Sequence, residues 1–162
     1  MKTLFLVRHS KADDNSSNDF DRKLTFEGVK LAQHISNNLS IFPLTNATFI
    51  SSPALRAIET AKVFAKCYFI DSNNIIEDPF LYRYFTHDRF FMWLDSIEKN
   101  EEVWVFGHNP MFSELLVYLT NGDIFSMPKC SVAAFKINTE NWFDTTPKNS
   151  KLLFFKNPKN KK

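Results

Sequence analysis

The chain has 162 residues, 44% of them hydrophobic, and its 20 basic and 18 acidic side chains leave a formal net charge of +2. This length corresponds to about one domain, and the balanced charge does not favour nucleic acid as a partner. No apolar run approaches the ~18 residues of a membrane span, so we expect a soluble protein without membrane contact. We also expect a monomer. Without an export signal or CxxC spacing, Cys67 and Cys130 are expected to be reduced and buried in a cytoplasmic protein.

The first apolar run, residues 3–7, is followed at once by Arg8 and His9. Together with the preceding Lys2 it imitates the start of a secretory signal. A signal needs about 7–15 apolar residues before its cleavage site, and Arg8 interrupts the run too early. We therefore predict a buried strand with Arg8 and His9 at its carboxyl end.

Strand-like and helix-like segments alternate along the rest of the chain. Further strands are predicted at residues 47–51, 103–106, 132–137 and 152–155. Apolar residues at helical spacing predict helices within residues 54–65, 90–97 and 112–119. This alternation implies parallel strands, and the last two strands lack an intervening helix. The expected fold class is α/β: a three-layer sandwich with a mostly parallel central sheet, helices on both faces and an antiparallel C-terminal edge strand. We expect one domain over residues 1–157 and a basic, frayed tail at 158–162.

The carboxyl end of the second predicted strand carries an arginine. Residues 51–56 read SSPALR. Ser52 suits a helix N-cap and Pro53 suits the first helical position. Arg56 is then expected in the opening turn of the following helix.

The third predicted strand ends in the residues FGHNP, at positions 106–110. Asn109 suits an N-cap and Pro110 a first helical position, which leaves His108 in the strand-to-helix turn. Ligands of such sheets bind at the carboxyl ends of the strands, and helix N-termini favour anions. The sequence therefore predicts a phosphate site built from two arginines and two histidines: Arg8, His9, Arg56 and His108.

Taken singly, each of these residues also has an ordinary structural interpretation. A histidine at a strand end is usually a structural residue, and an arginine in a first helical turn usually lies at the surface. Their recurrence at one place in the topology favours a functional site. A metal site is less well supported, because the four histidines form no HxxxH or HExxH pair and have no carboxylate cluster beside them. His34 is expected on a helix surface.

Four segments resemble the histidine phosphatase superfamily, in its phosphoglycerate-mutase-like branch. Residues 6–10, LVRHS, are similar to the strand and Arg-His-Gly motif that open that branch. Residues 24–28, LTFEG, resemble its L-[ST]-x-x-G segment, and residues 51–61 resemble S-S-x-x-x-R-A-x-x-T-A. The fourth segment is VFGHNP at 105–110. The order, spacing and short chain are most similar to the small bacterial phosphohistidine phosphatases.

The resemblance implies a role for each residue of the predicted phosphate site. His9 would attack phosphorus and become a transient phosphohistidine, Arg8 and Arg56 would clamp the phosphoryl oxygens, and His108 would complete the pocket. Positive charge that is already in place stabilises a phosphoryl-transfer transition state. It should also lower the pKa of His9, which keeps a ring nitrogen free to attack. This scheme requires no metal or cofactor.

The sequence departs from the family pattern at two places. Ser10 replaces the motif glycine, so the backbone is more restricted there or the hydroxyl touches the phosphate. The general-acid glutamate of the branch has no counterpart, because residues 79–87 contain no carboxylate. A phosphohistidine tolerates this loss, since its ring can be protonated before cleavage and leave neutral. Asn15 matches an asparagine that some relatives place near the phosphate, and Asn109 is expected to bind substrate.

The leading hypothesis is a phosphatase acting on phosphohistidine in a protein phosphotransfer domain. One alternative is a phosphomonoesterase for a sugar phosphate or a similar small molecule, and a less favoured one is a non-catalytic phosphate-binding module. The aspartates at positions 13, 14, 19 and 21 could supply a weak acid or contact a partner, although a solvated loop is favoured. Aromatic residues at 80, 82, 84 and 85 could form an exposed rim, with at least half of them expected in the core.

Overall fold

The computed structural model describes residues 1–40, 44 and 46–158. Within these residues, six strands are numbered in chain order: β1 (Lys2–Arg8), β2 (Ala47–Ser51), β3 (Ile76–Glu77), β4 (Glu102–Gly107), β5 (Val132–Ile137) and β6 (Ser150–Lys156). The same part of the chain contains four α-helices: α1 (Phe26–Leu39), α2 (Leu55–Cys67), α3 (His87–Ile97) and α4 (Met111–Leu119).

The strands form one sheet in the order β3-β2-β4-β1-β5-β6. The first four of these are mutually parallel, β5 runs antiparallel to β1, and β6 runs antiparallel to β5. The predicted α/β class, with a mostly parallel sheet and an antiparallel pair at its C-terminal edge, is confirmed. All five predicted strands are present, whereas β3 was not predicted because it has only two residues and both are exposed.

Helices cover both faces of the sheet. Leu4 and Leu6 of β1 belong to the core beneath α3 and α4, while Phe5 and Val7 belong to the core beneath α1 and α2. A strand that is buried on both faces reads as a continuous apolar run, because neither set of alternating side chains meets water. This explains why β1 contains no polar residue between Thr3 and Arg8.

The sheet register brings the predicted site segments together. β1 and β4 pair in parallel with Arg8 opposite Gly107, and β2 pairs with β4 so that Ser51 lies opposite Phe106. The carboxyl ends of the three strands therefore meet at one rim. The segments that follow them carry His9, Arg56 and His108.

The predicted N-cap of α2 is wrong. The helix begins at Leu55, and its N-cap is Ala54 rather than Ser52. The Ser52 hydroxyl lies 2.8 Å from Nε2 of His108 and accepts a hydrogen bond from the Ala54 N–H at 3.4 Å, so its side chain connects the site to the residue before the helix. Arg56 still falls in the opening turn, as predicted.

The predicted N-cap of α4 is also wrong. The helix begins at Met111 with Pro110 in the N-cap position. The Asn109 side-chain amide instead donates to the Met127 carbonyl at 3.1 Å. Like Ser52, Asn109 is a good capping residue whose side chain is engaged in a tertiary contact.

Other predicted placements are confirmed in part. His34 lies on α1 and is exposed, and both cysteines are free, but Cys67 is only half-buried whereas Cys130 is buried. Of the four aromatic residues, Phe80 and Phe85 pack in or against the core, while Tyr82 and Tyr84 are exposed. No helix in the described residues is both long and apolar enough to span a membrane. Positions 159–162 of the predicted tail lie outside the described residues.

Gly28 allows close packing between α1 and the loop after β1. Thr25 caps this helix by accepting a hydrogen bond from the Gly28 N–H at 3.0 Å. A Cβ atom at Gly28 would clash with the backbone carbonyl of Lys11. A glycine in the LTFEG segment is therefore required by the close approach of two backbones.

We predict that Gly28→Ala lowers the free energy of unfolding by about 3 kcal/mol, because the clash with backbone cannot be relieved by a side-chain rotation. Urea unfolding followed by circular dichroism measures this loss. Gln33→Ala, at an exposed position of the same helix, should change the value by less than about 0.5 kcal/mol. Equal stability of Gly28→Ala and the wild type would contradict the proposed packing.

Candidate active site

His9 follows β1 directly and is 6% exposed. Its Nδ1–H donates to the Ser10 carbonyl at 2.7 Å. Because a carbonyl only accepts hydrogen bonds, the neutral ring carries its proton on Nδ1, and Nε2 keeps a free lone pair. The hydrogen bond therefore selects the nitrogen that can act as a nucleophile.

The pKa of His9 is lowered to about 3. Burial is the largest cause, and the charges of His108, Arg56 and Arg8 act in the same direction. The bond to Ser10 opposes them. The predicted direction is confirmed, although burial contributes more than the arginines. His9 is thus neutral at pH 7.

His108 faces His9 across the rim, with ring centroids 5.2 Å apart. It is 5% exposed, and its Nε2 lies 2.8 Å from the Ser52 hydroxyl. Burial, followed by the charge of Arg56, lowers the pKa of His108 to about 3. Both site histidines are therefore uncharged near neutral pH, and the positive charge in the pocket comes from the arginines.

Arg8 and Arg56 bring two guanidinium groups to the site. Arg56 is buried, and its Nη2 donates to Oδ2 of Asp19 at 2.9 Å while its Nη1 donates to the Asp19 carbonyl at 2.5 Å. Nη1 of Arg8 donates to the Met127 carbonyl at 2.8 Å. Burial lowers the pKa of Arg8, but an arginine remains charged at neutral pH. These contacts hold both groups in place before any substrate binds.

Polar atoms without partners converge on this rim. Among the described residues, the buried side-chain atoms with no hydrogen-bond partner include Nε of Arg8, Nε of Arg56 and Nδ1 of His108. Buried polar groups are nearly always paired, so three such atoms in one small region indicate a ligand site. Two of them are guanidinium N–H donors, which match the acceptor oxygens of an anion such as phosphate.

Ser10 and Asn15 were predicted to bind substrate, but the structure places their side chains away from the pocket. Ser10 is fully buried, its hydroxyl donates to the Gly28 carbonyl at 2.7 Å, and its N–H donates to Thr60 Oγ1 at 3.0 Å. Ser10 has no positive φ, so serine replaces the motif glycine without backbone strain. Asn15 is exposed and bonds through its backbone to Asp13. The structure brings neither side chain to the pocket, and a phosphate contact from Asn15 stays a prediction.

Asn109 joins two cavities at the rim. One, of about 380 Å³, is also lined by Arg56 and His108, and the other, of about 580 Å³, is also lined by Arg8. Its Oδ1 is buried without a partner among the described residues. Asn109 is thus placed where a substrate-binding residue was predicted.

Asp19 is a site residue that the sequence interpretation left within a solvated loop. Besides Arg56, its carboxylate accepts hydrogen bonds from Arg22 at 3.2 Å and from the Tyr82 hydroxyl at 3.1 Å. Partial burial alone would raise the pKa of Asp19, but these bonds and the charge of Arg56 hold it below its usual value. Nothing in the local sequence separates Asp19 from its neighbouring aspartates, because its position depends on the path of the loop.

The family comparison agrees with this geometry. Residues 4–77 match the family model of the histidine phosphatase superfamily, branch 1. The resemblance to that superfamily is confirmed. The matched segment includes Arg8, His9 and Arg56 of the site. No curated protein matches the chain significantly.

Solved structures with the histidine phosphatase fold resemble the chain over nearly its whole length. The protein histidine phosphatase SixA, complexed with tungstate, has 22% identity and a TM-score of 0.76, over 96% of this chain and 97% of that one. The SixA protein of Agrobacterium tumefaciens has 21% identity and a TM-score of 0.74, over 97% and 98%. A mycobacterial glucosyl-3-phosphoglycerate phosphatase has 15% identity and a TM-score of 0.67, over 94% and 97%. At these identities the likeness shows a shared fold.

Titratable side chains elsewhere do not form a metal cluster in the described residues. No group of three or more His, Cys, Asp or Glu side chains there is arranged to hold a metal ion. The positive charge at the rim of the candidate site comes from the guanidinium groups of Arg8 and Arg56.

We predict that the free energy of unfolding falls as the pH is lowered from 7 to 5. The unfolded chain protonates His9 and His108 below about pH 6.5, whereas the folded chain protonates them only near pH 3. Each histidine should account for a loss of about 2 kcal/mol at pH 5. Urea unfolding at pH 7, 6 and 5 gives the values.

Substitution separates these two histidines from other titrating groups. His9→Gln should remove about half of the pH-dependent loss, whereas His34→Gln, at an exposed position of α1, should leave it unchanged. The same pH dependence in all three proteins would show that His9 is not buried in its neutral form.

Proposed function

We propose that the protein is a metal-independent phosphatase that removes phosphate through a covalent phosphohistidine on His9, and that its substrate is phosphohistidine on a protein phosphotransfer domain. The observation that carries this proposal is the state of His9. Its ring is neutral, its Nδ1–H is held by the Ser10 carbonyl, and its other nitrogen is free beside two fixed guanidinium groups.

In the first step, Nε2 of His9 attacks the phosphorus atom of the substrate. A P–N bond forms to His9 as the P–N bond to the substrate imidazole breaks. That imidazole is already protonated at its other ring nitrogen, so the departing nitrogen keeps the electron pair of the broken bond and the ring leaves neutral. The transition state carries negative charge on three equatorial oxygens. Arg8 and Arg56 are placed to stabilise it with charges already oriented by Met127 and Asp19.

In the second step, water attacks the phosphorus atom of phospho-His9. The new P–O bond forms as the P–N bond to Nε2 breaks, and inorganic phosphate carries away both protons of the water or releases one to solvent. The His9 ring returns to its neutral form, which its lowered pKa favours. His108 lies beside the transferred group and completes the pocket wall.

The state of Asp19 supports a P–N substrate over an alkyl phosphate. An alkoxide leaving group needs a proton, and Asp19 is the one carboxylate among the described residues that line the cavity around Arg56 and His108. Its lowered pKa and its bonds to Arg22 and Arg56 keep it ionised at pH 7, which makes it a poor acid. A phosphohistidine needs no such donor.

A small-molecule phosphomonoesterase is the second candidate. The similarity to a mycobacterial glucosyl-3-phosphoglycerate phosphatase supports it, because the name of that protein indicates a small phosphoester. This candidate predicts faster hydrolysis of sugar phosphates than of a phosphohistidine protein.

The proposal includes a monomeric, cytoplasmic protein. Every residue in the proposed reaction comes from one chain, so a second copy is not needed to complete the site. Both cysteines are free, as expected for a protein in a reducing compartment.

His9→Gln tests the proposed nucleophile. With a radiolabelled phosphohistidine phosphotransfer domain as substrate and EDTA present, the wild type should release phosphate, and the variant should be slower by at least about a thousandfold. Acid-labile label should appear on quenched wild type and be absent from His9→Gln. Exposed His34→Gln serves as the matched control and should keep full activity.

Other results of the same assay would overturn this proposal. Release of phosphate by His9→Gln at the wild-type rate would exclude His9 as the nucleophile. Faster hydrolysis of sugar phosphates than of the labelled domain would favour the second candidate. Phosphate binding without turnover of any substrate, including activated aryl phosphates, would indicate a binding module.

Asp19→Asn tests whether the loop carboxylate donates a proton. If it only orients Arg56, the variant should lose activity to a similar extent, about tenfold, on aryl and alkyl phosphates. If it were the general acid, the alkyl phosphate would lose far more activity, because its leaving group is the poorer one. The measurement is kcat/KM on both substrates for the wild type and Asp19→Asn.

A further inference from the structure

Beside the phosphate site lies a groove of about 580 Å³ that the proposed reaction leaves unassigned. Asn109 lines both this groove and the cavity of Arg56 and His108, and Arg8 of the proposed site also lines the groove. Lys11 and Lys129 line the same groove. Its apolar lining consists of Leu31, Met127, Pro128 and Pro158. A cavity of this size exceeds what one phosphoryl group fills and lies within the ~300–1,000 Å³ of common ligand sites.

The groove is positively charged. Among the described residues that line it there are three basic side chains and no carboxylate. Lys11 is exposed and Lys129 is half-buried, and neither forms an ion pair with a described residue. By contrast, Asp14 and Asp19 in the loop near the site are paired with arginines. Asp13 and Asp21 of the same loop form no ion pair with a described residue, but neither lines the groove, so the charge that the groove itself presents is basic.

We propose that this groove binds an acidic segment of the phosphorylated partner protein, next to the residue that carries the phosphate. The inference rests on the proposed function, since it names the substrate surface that the site accepts. The phosphoryl group occupies the pocket of His9 and Arg56, and the neighbouring polypeptide extends past Arg8 into the groove. Its carboxylates meet Lys11 and Lys129, and its apolar atoms pack on Leu31 and Met127.

Two synthetic peptides of equal length test this proposal. Each carries one phosphohistidine, flanked by glutamates in one peptide and by glutamines in the other. For the wild type at low salt, kcat/KM should be about fivefold higher with the glutamate peptide, the size expected for two exposed ion pairs. Most of this preference should disappear in about 0.5 M NaCl, which screens surface charges.

Lysine variants locate the preference in the groove. Lys11→Gln combined with Lys129→Gln should reduce the ratio between the two peptides to below about twofold. Lys62→Gln combined with Lys151→Gln removes the same charge at exposed positions outside the groove, and it should keep both the wild-type activity and the ratio. The readout is a ratio of two substrates, so partial loss of folded protein does not affect it.

The outcomes separate this inference from the proposed function. If the wild type releases phosphate from both peptides at equal rates, the proposed phosphohistidine phosphatase activity is supported and the groove proposal is overturned. If both double variants lower the ratio equally, overall charge rather than the groove selects the substrate, and the proposal is again overturned. If the wild type hydrolyses neither peptide but hydrolyses aryl phosphates, the phosphohistidine assignment fails, and the groove proposal fails with it.

Discussion

The parallel register between β1 and β4 is the constraint on which the site depends. It sets Arg8 opposite Gly107, and in consequence the rings of His9 and His108 lie 5.2 Å apart although they come from distant parts of the sequence. A shift of one residue would exchange the two faces of β1, because its side chains alternate between two cores. The burial of Leu4 to Val7 on both faces therefore fixes the geometry of the proposed phosphate site as well as the fold.

The same burial sets the chemistry of the rim. It keeps His9 and His108 neutral by withdrawing them from water, and it leaves Nε of both Arg8 and Arg56 without a partner among the described residues. The unpartnered guanidinium atoms destabilise the folded chain when no anion is bound, and the buried neutral histidines destabilise it as the pH falls below about 6.5. The two apolar cores must offset that loss, as is common where a functional site departs from the rules of stable packing.

Much of this arrangement could be predicted from the sequence, because it follows from patterns that extend over several residues. The strands were predicted from apolar runs, and the convergence of Arg8, Arg56 and His108 followed from the rule that ligands bind at the carboxyl ends of parallel strands. The helix caps were not predictable, since Ser52 and Asn109 use their side chains in tertiary contacts. The position of Asp19 could not be predicted either, because it depends on the path of a loop whose sequence has no periodicity.

The proposed phosphate pocket by itself does not select a substrate. Arginines and a neutral histidine suit any phosphoryl group, and structures that share this fold at low identity include a protein histidine phosphatase and a phosphatase named for a sugar-linked phosphoglycerate. Discrimination between phosphorylated substrates must then come from the surface around the pocket. In this chain that surface has two unlike sides: the ionised Asp19, bonded to Arg56 and Tyr82, and the basic groove beyond Arg8. A substrate with carboxylates on only one side of its phosphate would bind in one orientation, with its acidic side in the groove, because the opposite orientation would bring those carboxylates against Asp19.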